Sequence, residues 1–213
     1  RGRAHVALTG GETPRRAYEL LAEAVEDWSG AGLWFGDERA VPPADPASNY
    51  RMVEETLLAR AAIPAGQVHR VRGELGAEAA AALYAAELRR GLPLAAERVP
   101  VLDLVLLGVG EDGHVASLFP HHPALETRGR ACVAVLDAPK PPPERVTLTL
   151  DVLQAAREVV VLATGEGKRA AVTAALGGPD PGTPASLVGD GRVEFVVDRM
   201  AAPTGAPTAD AGV

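Results

Sequence analysis

Leu102-Asp103-Leu104-Val105-Leu106-Leu107-Gly108-Val109-Gly110-Glu111-Asp112-Gly113-His114 is an apolar run that stops abruptly in glycines, two acids and a histidine. Branched aliphatics in a run too short for a membrane span, bounded by turn residues, fit a central parallel strand covered on both faces. In open α/β sheets the crevice beyond the carboxyl ends of the strands is where ligands sit. His114 is therefore presented where chemistry takes place.

The same logic recurs along the chain. Ala4 to Leu8 reads as a strand, followed by Thr9-Gly10-Gly11-Glu12-Thr13-Pro14 and a helix with apolar positions Ala17, Leu20, Leu21, Ala24, Val25 and Trp28. Thr13 suits the N-cap and Pro14 the first helical position. The amides of Gly10, Gly11 and the helix N-terminus then form a phosphate cradle, from which Glu12 must point away. Leu33 to Gly36 is a second strand ending in Asp37-Glu38-Arg39, whose plain reading is a solvated turn with an internal ion pair. Ser48 opens a helix, Gln67 to Val71 is a brief strand whose His69 packs rather than reacts, and Ala77 to Arg90 is a scaffold helix. Ala131 to Leu136 and Val146 to Leu150 are further strands, with Asp151 capping the helix after the second. Glu158 to Ala163 ends in Thr164-Gly165-Glu166-Gly167-Lys168 at the head of the helix Arg169 to Leu176. A lysine there opposes the helix dipole, which favours a role as a point charge for phosphate. Glu194 to Val197 is a last strand, and residues 201–213 read as a flexible tail. The fold class is a single α/β domain over residues 1–200, with a mainly parallel sheet flanked by helices. Thr9 to Thr13, Asp37 to Arg39, Gly108 to His114 and Gly165 to Lys168 are expected along one rim of it.

Composition narrows the chemistry. The 213 residues are 47% hydrophobic, enough for one full core. Against 21 basic residues stand 28 acidic ones, a net charge of -7, which argues against nucleic acid and anionic membranes as partners. The lone cysteine, Cys132, rules out an internal disulfide framework and fits a reducing cytoplasm. Gly108, Gly110 and Gly113 spell G-x-G-x-x-G, with Asp137 after a later strand. Glu111 and Asp112 would oppose a pyrophosphate, however, and Pro120 and Pro123 interrupt the helix that a dinucleotide site requires. His114, His121 and His122 invite a metal reading, but adjacent histidines rarely meet one ion, and no metal or other cofactor is expected. No G-x-S-x-G nucleophile occurs, so a histidine acting as base on water fits better than a covalent serine.

These pieces resemble the 6-phosphogluconolactonases. The matching segments are Thr9 to Pro14, Trp34 to Arg39, Ser48 to Tyr50, Gly108 to Pro120, Arg145 to Thr149 and Gly165 to Lys168, in family order. The resemblance implies a modified Rossmann-like fold and hydrolysis of 6-phospho-D-glucono-1,5-lactone in the pentose phosphate pathway, without metal or nucleotide. A cytoplasmic monomer is the expected state, although the chain itself does not reveal its oligomeric form. It makes His114 the general base with Asp112 beside it, and Gly10, Gly11, Thr13, Arg145 and Lys168 the phosphate holders. Asp37 joins the substrate contacts, and Arg39 serves either phosphate or the developing oxyanion. Two departures stand out. Glu12 occupies a position where the family usually has a small residue. Family members also usually carry a strand and helix ahead of the segment starting here at Arg1, and a missing edge element would expose Ala4 to Leu8. Two rivals differ in residues or behaviour. A glucosamine-6-phosphate deaminase would place an acid soon after the D-G-H segment, whereas here none occurs until Glu126. A non-catalytic sugar-phosphate sensor would keep the cradle without needing His114.

Overall fold

In this computed structural model, which describes residues 3–189 and 192–205, the main elements run β1 (Ala4–Leu8), α1 (Arg15–Ala24), β2 (Ala31–Phe35), β3 (Asp37–Arg39), α2 (Asn49–Val53), α3 (Ala77–Gly91), β4 (Leu104–Gly108), β5 (Cys132–Val135), β6 (Arg145–Leu148), α4 (Leu150–Ala155), β7 (Glu158–Ala163), α5 (Arg169–Ala175) and β8 (Val193–Val197). Five strands form a wholly parallel sheet in the order β2-β1-β4-β7-β8, so the decisive apolar run is its middle strand. Its cover is unequal. Val105 and Leu107 are fully buried, while Leu104 and Leu106 on the other face are only partly so. β1 is paired on both sides, with Val6 opposite Leu33 and Leu104, and is therefore not an exposed edge.

A second sheet was not visible in the sequence. Asp37-Glu38-Arg39 is not a solvated turn but strand β3, antiparallel to β6, which in turn pairs antiparallel with β5. The chain crosses between sheets at Gly36, whose amide donates to Leu8 and whose carbonyl accepts from Leu148. Apolar residues of both sheets share one contiguous core, including Trp34, Phe35, Leu107, Val146 and Leu148. Gln67 to Val71 is not a strand either: Ala65–Gln67 is a single 3-10 turn, and only Val68 bridges to Leu33. Of the expected tail, residues 206–213 lie outside the described residues. Ala201 is buried, its amide held by the Asp198 carboxylate, so the chain is still anchored there. No described helix is long and apolar enough to cross a membrane.

Helix α1 turns a different face inward from the one its leucines suggest. Tyr18 is fully buried, whereas Leu20 and Leu21 are 46% and 36% exposed. The cause is a backbone debt at the end of β1. The Tyr18 hydroxyl accepts from the Thr9 amide and donates to the Thr9 carbonyl, each at 2.9 Å. Tyr84 on α3 repeats the device at the end of β2, with the Phe35 amide at 2.7 Å and its carbonyl at 3.1 Å. Buried amides and carbonyls without a partner are costly, so each phenol stabilises a strand end where the ladder cannot. Tyr18→Phe is expected to lower unfolding stability by about 2 kcal/mol, read from the urea midpoint at unchanged m-value.

Candidate active site

The order β2-β1-β4-β7-β8 reverses direction between β1 and β4, because the chain leaves β1 toward one edge and β4 toward the other. Such a switch point opens a crevice between the loops that follow the two strands. Here the loops are tied at their base by the Gly108 amide, which donates to Thr9 Oγ1 at 3.2 Å. Above that tie lies a cavity of about 400 Å³, walled by the Thr9 to Pro14 loop, the β3 residues Asp37 and Arg39, the Gly108 to His114 loop, Arg145 and Lys168. All four expected loops thus contribute, although β3 reaches the cavity from the second sheet.

His114 and Asp112 form a dyad. His114 Nδ1 lies 2.5 Å from Asp112 Oδ1, and the imidazole packs on Phe119 with ring centroids 4.7 Å apart. Burial pushes the imidazole below the ordinary histidine value, against the upward pull of Asp112. Burial alone would raise the Asp112 carboxyl, but the hydrogen bond and charge of His114, with Lys140, hold it below the usual carboxylate range. A carboxylate on Nδ1 fixes the tautomer with the proton on that nitrogen, leaving Nε2 as the acceptor. Gly110 is required by the same geometry. A Cβ there would lie within 2.0 Å of His114 Nδ1 and 2.2 Å of Asp112 Oδ1, so the dyad fills the space a side chain would take.

On the β3 side, the buried Asp37 carboxylate accepts from Ser117 Oγ at 2.6 Å and Asn49 Nδ2 at 3.0 Å. Asn49 in turn abuts Gly10, where a Cβ would fall 1.9 Å from its Oδ1. Asn49 is held by Glu38, a carboxylate only 2% exposed that accepts from the amides of Arg39, Asn49 and Tyr50 and from Ser48 Oγ. Ser48 also caps α2 by accepting from the Arg51 amide. Burial drives the Glu38 carboxyl upward even with three amides donating to it. Neither Asn49 nor Glu38 stood out as a site residue in the sequence. The S-N-Y triplet was the available signal for Asn49, and a hydroxyl next to a helix start was the signal for the cap.

The cations are differently occupied. Arg39 Nη1 donates to the Ala47 carbonyl at 2.5 Å, and its buried Nε has no partner among the described residues. Arg145 spends Nε on the Pro142 carbonyl at 3.0 Å and Nη2 on the Lys140 carbonyl at 2.8 Å, with its guanidinium over the Phe119 ring. Lys168 lines the cavity beside Thr164. Thr13 does not cap α1. Pro14 takes that place, because the Glu12 carbonyl already accepts from the Arg15 amide in the first turn, and Thr13 Oγ1 instead meets Thr164 Oγ1 at 3.1 Å. Glu12 stands at the rim of the cavity with its side chain 91% exposed, near Arg15. Lys140, which the sequence hid in a proline-rich loop, also lines the cavity. His122 uses both ring nitrogens within the protein, on Asp137 and on the Ala124 amide.

A family model described as glucosamine-6-phosphate isomerases/6-phosphogluconolactonase matches residues 1–197. The chain belongs to that family. Within it, this isomerase/lactonase family member is 41% identical over 210 residues to the 6-phosphogluconolactonase of Mycobacterium tuberculosis, covering 95% of this chain and 85% of that one. It is 42% identical over 210 residues to the Homo sapiens 6-phosphogluconolactonase, covering 95% and 81%. The solved 6-phosphogluconolactonase of Thermotoga maritima superposes with a TM-score of 0.82 at 34% identity, over 93% of this chain and 87% of that one. For this family member, Glu38→Ala would strand three amides and a hydroxyl at the root of the site. An expected loss of about 3 kcal/mol, read by urea unfolding, should be accompanied by a weaker thermal shift on adding inorganic phosphate.

Proposed function

We propose that this chain hydrolyses 6-phospho-D-glucono-1,5-lactone to 6-phospho-D-gluconate, with His114 as the general base. The observation that carries the reading is His114, held from behind by Asp112, on the wall of a cavity that the glycine loop and Lys168 also line. Asp112 keeps the proton on Nδ1, so Nε2 is the nitrogen available to take one from water. The water oxygen attacks the C1 carbonyl as its proton passes to Nε2, which gives a tetrahedral oxyanion. Collapse breaks the bond from C1 to the ring oxygen, and the imidazolium returns the proton to that oxygen, which becomes the C5 hydroxyl.

Gly10, Gly11, Thr13 and Lys168 hold the phosphate, with charge support from Arg145, whose Nη1 remains after Nε and Nη2 are spent. Arg39 lines the cavity beside Asp37 and supplies positive charge to either the phosphate or the developing oxyanion. Each Asp37 oxygen accepts one hydrogen bond and keeps a lone pair for a sugar hydroxyl. Binding the remote phosphate fixes the lactone and contributes through positioning. No metal or nucleotide enters this scheme. A net charge of -7 and a single buried cysteine support a cytoplasmic monomer without a nucleic-acid partner. Relatives at 41% and 42% identity that carry the lactonase name support this branch of the family over the deaminase branch. The stretch Val115 to Pro120, which has no acid, supports it too.

The test is hydrolysis of freshly made lactone with the spontaneous rate subtracted. His114→Ala is expected to lose roughly 10²- to 10⁴-fold in kcat. Because the base works as neutral imidazole and burial holds its pKa low, kcat/KM should fall only as pH drops through a midpoint below that of free histidine. Absence of turnover above the blank, with phosphate binding retained, would replace the lactonase by a sugar-phosphate sensor.

A further inference from the structure

We propose that Lys140 is a positioning residue for the base, holding the second carboxylate oxygen of Asp112 while Arg145 anchors the Lys140 loop and the Phe119 ring, so that a closed circuit of contacts surrounds the His114 imidazole. The circuit can be followed atom by atom. His114 Nδ1 meets Asp112 Oδ1 at 2.5 Å, and Lys140 Nζ lies 3.9 Å from Asp112 Oδ2. The Lys140 carbonyl accepts from Arg145 Nη2 at 2.8 Å, and the Pro142 carbonyl from Arg145 Nε at 3.0 Å. The Arg145 guanidinium stands 5.6 Å from the centre of the Phe119 ring, which packs back on His114 at 4.7 Å. The circuit joins the loop after β4 to the loop before β6, so the dyad is braced by both sheets. The inference rests on the reading of His114 as base.

Each member has a distinct physical task. A lone histidine on a glycine loop could rotate about its side-chain bonds, and Asp112, 35% exposed, could swing out to water with it. Lys140 gives the outer oxygen of Asp112 a reason to stay, by opposite charge. Arg145 could offer the cavity a full guanidinium, yet commits two nitrogens to backbone carbonyls, which is the behaviour of a scaffold. The groups facing His114 are Asp112 on its own loop, Lys140 and Arg145 from the loop before β6 and from β6 itself, and Asp37 from β3; Arg39, Lys168 and Glu12 line the same cavity. Among them Lys140 opposes the pull of Asp112 on the imidazole proton. Losing it should therefore let His114 hold a proton to higher pH. At 53% side-chain exposure the effect is partial and salt-sensitive.

The decisive experiment compares wild type, Lys140→Met and Lys140→Arg in two ways. The first is an NMR titration of the His114 imidazole, assigned by its absence in His114→Ala, which needs no turnover. The second is the pH profile of kcat/KM. In Lys140→Met the His114 titration and the acid limb should both move to higher pH. On the acid limb kcat/KM at a fixed pH should fall about threefold, a coupling of roughly 0.6 kcal/mol, and above that limb it should fall by a smaller factor as Asp112 loses its brace. Lys140→Arg should restore both. High salt should move wild type toward Lys140→Met. A His114 titration identical in wild type and Lys140→Met would overturn the proposal. So would a loss of kcat/KM equal at every pH, which would make Lys140 a substrate contact instead. A wild type with no turnover would refute the lactonase reading alone, and the imidazole titration would still decide the part played by Lys140. Because Lys140 is half exposed, the methionine variant is expected to fold, checked by circular dichroism and melting temperature.

Discussion

A single buried carboxylate, Glu38, is the constraint through which the second sheet and the site are joined. Removing a charged group from water costs several kcal/mol unless donors replace the solvent. Three amides and a hydroxyl do so here, and all four come from β3 itself or from the start of α2. The carboxylate can be buried only if α2 begins where it does, and α2 can begin there only if its amides find that acceptor. Asn49 follows from this mutual requirement, and from Asn49 follow the engagement of Asp37 and the need for glycine at position 10. A chain of four residues thus carries the geometry of one sheet into the loop of the other.

What the sequence disclosed and what it hid divide along a physical line. Features set by neighbours in sequence were legible. The aliphatic run of β4, the glycine turns after β1 and β7, and the D-G-H segment all declare themselves locally, and each was where it was expected. Features set by partners far along the chain were not. Asp37-Glu38-Arg39 looks solvated because three charges in a row normally are, and only pairing with residues 145–147 shows otherwise. Lys140 sits among prolines and gains meaning only once Arg145 folds the loop back. The face of α1 was misjudged for a related reason. Hydropathy favours Leu20 and Leu21 as the buried positions, but it does not register that an unpaired amide and carbonyl at Thr9 make a phenol more valuable there than an isobutyl group.

The two halves of the cavity are built on different principles. On the parallel-sheet side the backbone does the presenting, with glycines allowing close approach and few side chains needed. On the antiparallel side the side chains are mutually committed: Asp37 to Ser117 and Asn49, Arg39 to the Ala47 carbonyl, Arg145 to the 140–142 loop. A polar network with nearly every member satisfied is stiff.

The tyrosine clamps also bear on how the protein would look to a spectrometer. Of the three tyrosines, Tyr18 and Tyr84 are sealed in the core with their hydroxyls engaged, and burial drives both phenols far above the usual range. Burial and the neighbouring Glu54 raise the Tyr50 phenol as well, but Tyr50 alone of the three is partly exposed, so it is the one to ionise first while the fold is intact. The phenolate absorbance should therefore rise in two stages, one chromophore before the fold opens and two as it does. Ultraviolet absorption in alkali becomes a direct counter of whether the ends of β1 and β2 are still closed.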